Sequence, residues 1–510
     1  MKTYYITTLG CPKNEADSRA MERSMRRRGF ASVEDPETAD VHLINSCTFI
    51  QSAKEETIQT VLDAADVKRE HGEQTLVLAG CFAQRYEQVI PAELPEIDYS
   101  FGTGLYHRAG ELIADYLGQA APGPRASGEV PDYSVPGRGA SFAPVKISDG
   151  CDRGCGFCAI PLFRGKFSSI PAADIVEECR LLAEEGVREI CLVSQDTNAY
   201  GGKAEALLDL MEAVQTIDGV RWIRPLYLYP DPRTEQILRG IRERGIEKVV
   251  PYFESPVQHV SDAMLRAMRR FGDYERFRDL FALARELRPE TEIRTSFLLG
   301  YPGETSADVD RVLRFVEEVR PEKVALFGYS PEEGTPGADL DGELDEDEIN
   351  ERLNLVRDAH LSVLREIHRS RVGRIFDCMV DEVTPDMVTA RRAQDAPEVD
   401  EVVFLDPVPG LVRRPGDIFP VEITGFMEYD MTGIADRRVQ RLDAAVHDFG
   451  KPGFRRHVDD VDTGVAERSR RSAGGQDFYV ELGEPGSKGD QVALVGDTDE
   501  RTADVKHRFP

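Results

Sequence analysis

Residues 148–161 read SDGCDRGCGFCAIP and place Cys151, Cys155 and Cys158 within eight positions. A tetrahedral metal ion or a closed four-iron cluster takes four ligands, and this CxxxCxxC segment supplies three. The segment follows PVKIS (144–148), which is typical of a buried strand. Because ligands collect at the carboxyl ends of parallel strands, the pattern indicates a metal centre there, with one coordination position left for another molecule.

Two other interpretations of this segment are weaker. A structural zinc site normally pairs one CxxC with another, and the chain contains no second CxxC. Three core cysteines could cluster by chance, but Gly150, Gly154 and Gly156 favour a loop that wraps a bound group. We therefore expect a four-iron cluster in which one iron is not held by the protein.

The surrounding sequence predicts a partial barrel of parallel strands. From residue 144 to about 370, strand-like and helix-like segments alternate six times, as expected of βα repeats. The predicted strands are 145–148, 189–194, 222–228, 247–253, 292–299 and 323–329. The predicted helices are 172–185, 204–216, 233–244, 261–287, 305–319 and 344–370.

Three more cysteines lie in residues 1–117, a region that reads as a small parallel-sheet α/β domain. Cys11, Cys47 and Cys81 each follow a predicted strand, at 3–10, 40–46 and 74–80 respectively. The carboxyl ends of neighbouring parallel strands meet at one edge of a sheet, so the three thiols can converge. We infer a second three-cysteine cluster site. The alternative is that all three are small buried side chains.

The remaining cysteines and segments predict structure rather than chemistry. Cys179, Cys191 and Cys378 fall within predicted helix or strand segments and are interpreted as core residues. Residues 118–143 are rich in Gly and Pro and predict a linker. Residues 371–438 predict a small all-β barrel, and the acidic segment 439–510 predicts a mostly disordered tail.

Composition narrows the class of protein further. The chain has 510 residues and a net charge of −29, which repels nucleic-acid phosphates and attracts basic partners, although a salty cytoplasm would select the same surface. No stretch is long and apolar enough to span a membrane, and the N-terminus does not resemble a signal peptide. We expect a cytoplasmic protein whose clustered cysteines bind metal rather than form disulfides.

These features resemble the radical S-adenosylmethionine (SAM) methylthiotransferase family, and most closely its RimO branch. The resemblance covers the chain to about residue 438. It rests on the cluster motif and on the segments LGCPKNEADS (9–18), SPVQHVSDAMLRAMRR (255–270), YSPEEGTP (329–336), APEVD (396–400) and EYDMTG (428–433); GYPGET (300–305) is common to both branches. One departure is Glu254-Ser255, where the family usually has Asp-Ile.

The resemblance implies an N-terminal cluster domain, a partial (βα)6 radical SAM barrel and a C-terminal TRAM β-barrel. It also implies two [4Fe-4S] clusters, with SAM completing the barrel cluster beside Phe157. Gln195 and Asp196, after the second barrel strand, and Arg294, in the fifth, are expected to face the SAM cavity, unless they only shape loops. Asn14 is interpreted as a simple helix cap.

The resemblance further implies methylthiolation of the β-carbon of an aspartate in protein twelve of the small ribosomal subunit, with an external electron donor. Residues 371–438 contain eight arginines and fourteen acidic residues, a net charge of −6. This charge suits a basic ribosomal protein better than RNA. The alternatives are methylthiolation of a tRNA adenosine, as in the MiaB branch, and a non-catalytic iron–sulfur or RNA-binding adaptor.

Overall fold

The computed structural model describes residues 1–72, 74–118, 140–407 and 413–435. The predicted tail, 439–510, lies outside these residues, as does most of the predicted linker, 118–143, so both remain predictions. The first strand after the linker begins at Phe142, inside the predicted linker. None of the described helices is both long enough and apolar enough to cross a membrane.

The N-terminal region is a five-stranded parallel sheet covered by helices, as predicted. Its strands are β1 Thr3–Thr8, β2 Ala31–Ser32, β3 Val41–Ser46, β4 Thr75–Gly80 and β5 Tyr99–Phe101, in the order β2-β1-β3-β4-β5. Its helices are α1 Pro12–Arg27, α2 Gln51–His71, α3 Cys81–Arg85, α4 Ile90–Glu93 and α5 Ala109–Tyr116. Strands β3 and β4 are buried along their whole length because helices cover both faces of the sheet.

The central region is a partial (βα)6 barrel, again as predicted. Six parallel strands form two three-stranded sheets, which a bridge between Ile223 and Val249 joins. The barrel strands are β6 Phe142–Lys146, β9 Glu189–Val193, β10 Trp222–Pro225, β11 Tyr252–Glu254, β12 Glu292–Leu299 and β13 Lys323–Gly328, with a short hairpin of β7 Ser148–Asp149 and β8 Ser168–Ser169 after the first. The helices are α6 Ile160–Arg164, α7 Ala172–Glu184, α8 Ala204–Gln215, α9 Pro232–Glu243, α10 Asp262–Ala267, α11 Tyr274–Leu287, α12 Ser306–Val319 and α13 Glu346–Arg371.

One predicted helix of the barrel, 261–287, is wrong in detail, because the structure has two helices there, α10 and α11. The break contains Gly272, whose φ of +114° lies outside the helical region. A β-carbon at this position would also lie 2.2 Å from the Phe277 ring, so the close approach of this ring requires glycine. The composition of the segment did not reveal this local turn.

The C-terminal region is a closed five-stranded β-barrel, as predicted. Its strands are β14 Ile375–Val383, β15 Val388–Arg392, β16 Val403–Leu405, β17 Ile418–Met427 and β18 Asp430–Ala435, in the order β14-β15-β16-β18-β17. All pairs are antiparallel except β16 with β18. Cys378 lies in the apolar interior of this barrel.

A buried network of charges joins the β-barrel to the (βα)6 barrel. Arg392 contacts Glu292 at 2.8 Å and Asp395 at 2.7 Å, and Lys323 contacts Glu292 at 2.6 Å. Although burial favours the protonated acid, Arg392 and Lys323 hold the pKa of Glu292 well below its usual range. The network balances three carboxylates with three cations: Glu292, Asp395, Glu401, Lys323, Arg371 and Arg392. The carboxylates are close enough to bind a metal ion, but the cations already neutralise them.

Candidate functional site

A cavity of about 240 Å³ lies between the N-terminal sheet and the (βα)6 barrel. Both cysteine triads line it, although they belong to different regions of the chain. Phe157, Gln195 and Arg294 line the same cavity. The triad cysteines in this lining are Cys11, Cys47, Cys81, Cys151, Cys155 and Cys158.

Strand ends position the N-terminal triad. Strands β3 and β4 pair in parallel up to Ser46 and Gly80, and the next residue of each is a cysteine. Gly80 has φ +100°, and a β-carbon there would lie 2.6 Å from the carbonyl oxygen of Ser46. A β-carbon on Gly10 would lie 2.9 Å from the Cys47 sulfur. Glycine is therefore required at both positions for the chain to bring the cysteines to one edge.

The barrel triad lies on the loop that follows the β7 strand. The backbone N–H of Cys158 donates to the Cys155 carbonyl at 3.1 Å, and that of Gly156 donates to Met268 at 2.8 Å. A β-carbon on Gly156 would lie 2.7 Å from the Tyr301 hydroxyl. The loop is thus pinned against the barrel wall, with its sulfurs left facing the cavity.

The donor atoms of each triad indicate which kind of group it can hold. In the described residues, neither triad has all three sulfurs within 4.8 Å of one another. A tetrahedral zinc ion, with Zn–S bonds of about 2.3 Å, would bring its sulfurs to about 3.8 Å. Three thiols that line one cavity are a suitable donor set for an iron–sulfur cluster, whose usual ligands are cysteine thiolates.

Burial strongly affects the acidity of these thiols. It raises the pKa of Cys81 to about 11, against the opposing effect of Arg164, and raises the pKa of Cys47 further. In the barrel triad, burial raises the pKa of Cys151 to about 11 and that of Cys158 to about 12. These four thiols are therefore protonated at neutral pH when free, and a metal centre must displace their protons when it binds.

Gln195 and Arg294 differ in whether their polar atoms already have partners in the protein. The Oε1 atom of Gln195 is buried and has no hydrogen-bond partner in the described residues, so it can accept a hydrogen bond from a ligand in the cavity. Arg294 is ion-paired with Asp400 and lies 3.7 Å from Glu254. Its guanidinium is therefore largely committed to the protein. Both remain predicted SAM contacts.

Asn14 is not a helix cap, contrary to the sequence-based interpretation. It lies inside α1, where its Nδ2 donates to Leu9 at 2.7 Å and to Ser46 at 3.2 Å. Its Oδ1 accepts from Arg164 at 2.6 Å. The Asn14 side chain therefore ties the loop before Cys11 to the end of β3 and to the barrel.

Two arginines that the sequence did not single out contact cysteines of the two triads. Arg164, at the end of α6, donates from Nε to the Cys81 sulfur at 3.1 Å, and Arg270 donates to the Cys155 sulfur at 3.4 Å. Arg164 follows the barrel motif in sequence, but its side chain contacts a cysteine of the N-terminal triad. Each triad thus receives one guanidinium donor, a contact that tunes metal–thiolate centres.

The three cysteines interpreted as core residues are all buried. Cys179 and Cys378 are fully inaccessible to solvent, and Cys191 is 2% exposed. Cys191 also borders the cavity wall. Neither Cys179 nor Cys378 lines the cavity, so both can serve as control positions for the six triad cysteines.

Comparison with known families gives matches to three successive parts of the chain. Residues 3–102 match the Uncharacterized protein family UPF0004, residues 145–316 the Radical SAM superfamily, and residues 372–435 the TRAM domain. These three matches follow the same order as the sheet, the partial barrel and the β-barrel described above.

Curated relatives match nearly their whole length. The Ribosomal protein uS12 methylthiotransferase RimO of Leptospira biflexa serovar Patoc is 48% identical over 443 residues, which cover 85% of this chain and 96% of the relative. The protein of the same name from Anaeromyxobacter sp. (strain K) is 38% identical, covering 84% and 92%. Among solved structures, the radical SAM methyltransferase TsrM of Kitasatospora setae is 13% identical with a TM-score of 0.49, covering 78% of this chain and 80% of that one. The identity to the two RimO proteins, 48% and 38% over most of their length, shows that the chain belongs to the RimO family of radical SAM methylthiotransferases.

Proposed function

We propose that this protein methylthiolates the β-carbon of an aspartate in ribosomal protein uS12, the substrate named for its curated relatives. The observation that carries the proposal is that two cysteine triads, from different domains, open into one cavity. A methylthiolation needs both a hydrogen-atom acceptor and a sulfur source at the same carbon, so two centres facing one substrate site suit it.

The residues present fit the groups that this chemistry requires. We assign Cys151, Cys155 and Cys158 to the SAM-binding [4Fe-4S] cluster, and the N-terminal triad to a second one. When bound, the two clusters, an external electron donor and two molecules of SAM would supply the radical that removes the β-hydrogen, the sulfur that replaces it and the methyl group carried by that sulfur. Radical chemistry is required because side-chain acids and bases cannot remove such a hydrogen at neutral pH.

The cavity walls hold the reacting groups and limit access of water. Apolar side chains, among them Phe157, Phe163 and Phe327, form much of the lining. Two guanidinium groups lie over the Tyr229 ring, that of Arg153 at 3.9 Å and that of Arg270 at 4.7 Å from the ring centre. These contacts fix the positions of charged groups around the barrel triad before substrate arrives, which lowers the cost of orienting it.

Charge favours a protein substrate over RNA. The chain carries a net charge of −29, and residues 371–438, which in a nucleic-acid-binding domain would be basic, carry −6. An acidic surface attracts a basic ribosomal protein. We therefore place the reaction in the cytoplasm, with a ribosomal protein as partner, and disfavour a tRNA substrate.

The test is mass spectrometry of purified uS12 after anaerobic incubation with the reconstituted enzyme, SAM, sulfide and a reductant. We expect one aspartate to carry a methylthio group in place of a hydrogen. Cys179→Ala, which removes a buried thiol outside the cavity, serves as the matched control and should give the same product. Unmodified uS12 in the presence of SAM cleavage, or modification of tRNA instead, would overturn the proposal.

A further inference from the structure

Five basic side chains line the cavity, and four of them are already engaged by the protein. Arg153 pairs with Asp196 at 2.5 Å and with Asp231 at 2.8 Å. Arg164 forms an ion pair with Asp17 at 2.7 Å. The five are Lys13, Arg153, Arg164, Arg270 and Arg294.

The other two arginines are committed as well. Arg294 is paired with Asp400. Arg270 donates to the backbone carbonyls of Val257 and Pro256 and to the Cys155 sulfur. Neither guanidinium can turn toward a new anion without giving up a buried partner, which is costly.

Lys13 differs from these four because, within the described part of the chain, its ammonium group makes no ion pair. Its Nζ lies 3.5 Å from the Ser194 carbonyl, a long contact, and 3.7 Å from the centre of the Tyr227 ring. The side chain is 8% exposed. Glu254 feels this charge, but its carboxylate accepts from the Tyr227 N–H at 3.1 Å and lies beside Arg294. An ammonium group that is buried this deeply retains capacity for an anionic ligand.

The position of Lys13 places that capacity between the two triads. It belongs to the first turn of α1, two residues after Cys11, and its ammonium group reaches the carboxyl ends of the barrel strands β9 and β10. Lys13 therefore neighbours Cys11 of the N-terminal triad in sequence, while its ammonium group contacts the (βα)6 barrel, which carries the other triad.

An aspartate substrate brings a negative charge into this cavity. A carboxylate enters a largely apolar site only if a cation or several hydrogen-bond donors replace its water. The cavity already contains Glu254 and Glu398, which would repel a third carboxylate. Since the β-carbon is bonded directly to the carboxylate carbon, holding the carboxylate also fixes the carbon that reacts.

We propose that the Lys13 ammonium binds the side-chain carboxylate of the substrate aspartate, making Lys13 a specificity-determining residue. This inference rests on the proposed function, since it requires an aspartate substrate. Lys13 would select aspartate over asparagine and position the β-carbon between the two triads.

The test is a double-mutant cycle on substrate binding, measured with the reconstituted holoenzyme and SAM. The enzyme forms are wild type, Lys13→Met, Lys13→Arg and the control Lys166→Met, an exposed lysine outside the cavity. The ligands are purified uS12 and uS12 with asparagine at the target aspartate. The iron content of every form is measured first, so that only fully loaded enzymes are compared.

We expect Lys13→Met to weaken binding of uS12 roughly 10- to 100-fold, the range for a buried charge-assisted hydrogen bond, but to leave binding of the asparagine form within about twofold. Lys13→Arg should restore the preference for aspartate in part, and Lys166→Met should match wild type. Equal weakening of both ligands by Lys13→Met, or weakening of neither, would overturn the inference. A wild-type enzyme that neither binds nor modifies uS12 would overturn the proposed function instead.

Discussion

Replacement of Arg164 by methionine should loosen the contact between the N-terminal sheet and the (βα)6 barrel. Its guanidinium donates to Asp17 at 2.7 Å, to Asn14 at 2.6 Å and to the Cys81 sulfur at 3.1 Å. All four side chains are buried, and removing one partner of a buried pair costs about 3 to 5 kcal/mol. Because Lys146 still pairs with Asp17, we expect the lower end, about 3 kcal/mol.

Hydrogen exchange of the metal-free protein measures this cost. A loss of about 3 kcal/mol corresponds to roughly 100-fold faster exchange of amides that are exposed by separation of the two domains, including those in α1 and α6. Arg164→Lys keeps the positive charge but loses the planar guanidinium, so its exchange rates should lie between those of the wild type and Arg164→Met. The control is Arg180→Met, whose ion pairs with Glu177 and Glu184 are exposed and contribute little. Exchange in α1 that is unchanged in Arg164→Met would refute the proposed role of this contact.

Three further predictions concern the triads and the buried charges. Cys155→Ala should abolish SAM cleavage, whereas Cys47→Ala should retain it and lose only the methylthiolated product. Chromatography of the cleaved nucleoside reads the first and mass spectrometry of uS12 the second, and the reverse pattern would contradict the assignment. Glu332→Ala should lower the free energy of unfolding of the apo protein by about 3 kcal/mol in urea, because it removes the buried carboxylate that Lys54 contacts at 3.1 Å and Arg85 at 2.6 Å. An unchanged midpoint would argue against this. Burial, together with the neighbouring Glu398, raises the pKa of Glu15 to about 8 in the folded protein. The folded state therefore holds the Glu15 proton more tightly than the unfolded state does. The stability that this proton contributes is fully present below the unfolded pKa of Glu15 and is lost as the pH rises through 8. Glu15→Gln should therefore flatten the fall in unfolding free energy between roughly pH 5 and 8, and parallel pH curves for the two proteins would exclude this carboxyl as the cause.

The architecture could be predicted from sequence because each region has a clear local signal. Short apolar segments typical of strands alternate with helical segments, and this alternation predicts the βα repeats. Cysteines directly after Ser46 and Gly80 lie at the carboxyl ends of strands. Parallel pairing then brings those ends together, whatever the sequence separation. The convergence of Cys11, Cys47 and Cys81 on one cavity therefore follows from periodicity alone, without knowledge of tertiary contacts.

The parts that could not be predicted depend on contacts between domains. Nothing local shows that Arg164 reaches Cys81, since the two residues lie on different domains. Asn14 looks like a helix cap because it lies near a helix start, yet its side chain spans to the barrel. That Lys13 makes no ion pair among the residues the structure describes is visible only after every other cavity cation has been matched with its partner. Such pairings are properties of the assembled interface rather than of any segment.

Iron analysis tests most directly whether two separate three-cysteine sites each hold a cluster. The measurement compares the reconstituted wild-type protein with two variants, one with alanine at Cys11, Cys47 and Cys81 and one with alanine in the barrel motif. We expect about eight irons per wild-type chain and about four in each variant, with Mössbauer spectra of four-iron clusters. About four irons in the wild type, or the loss of all iron when either triad is removed, would contradict two independent clusters.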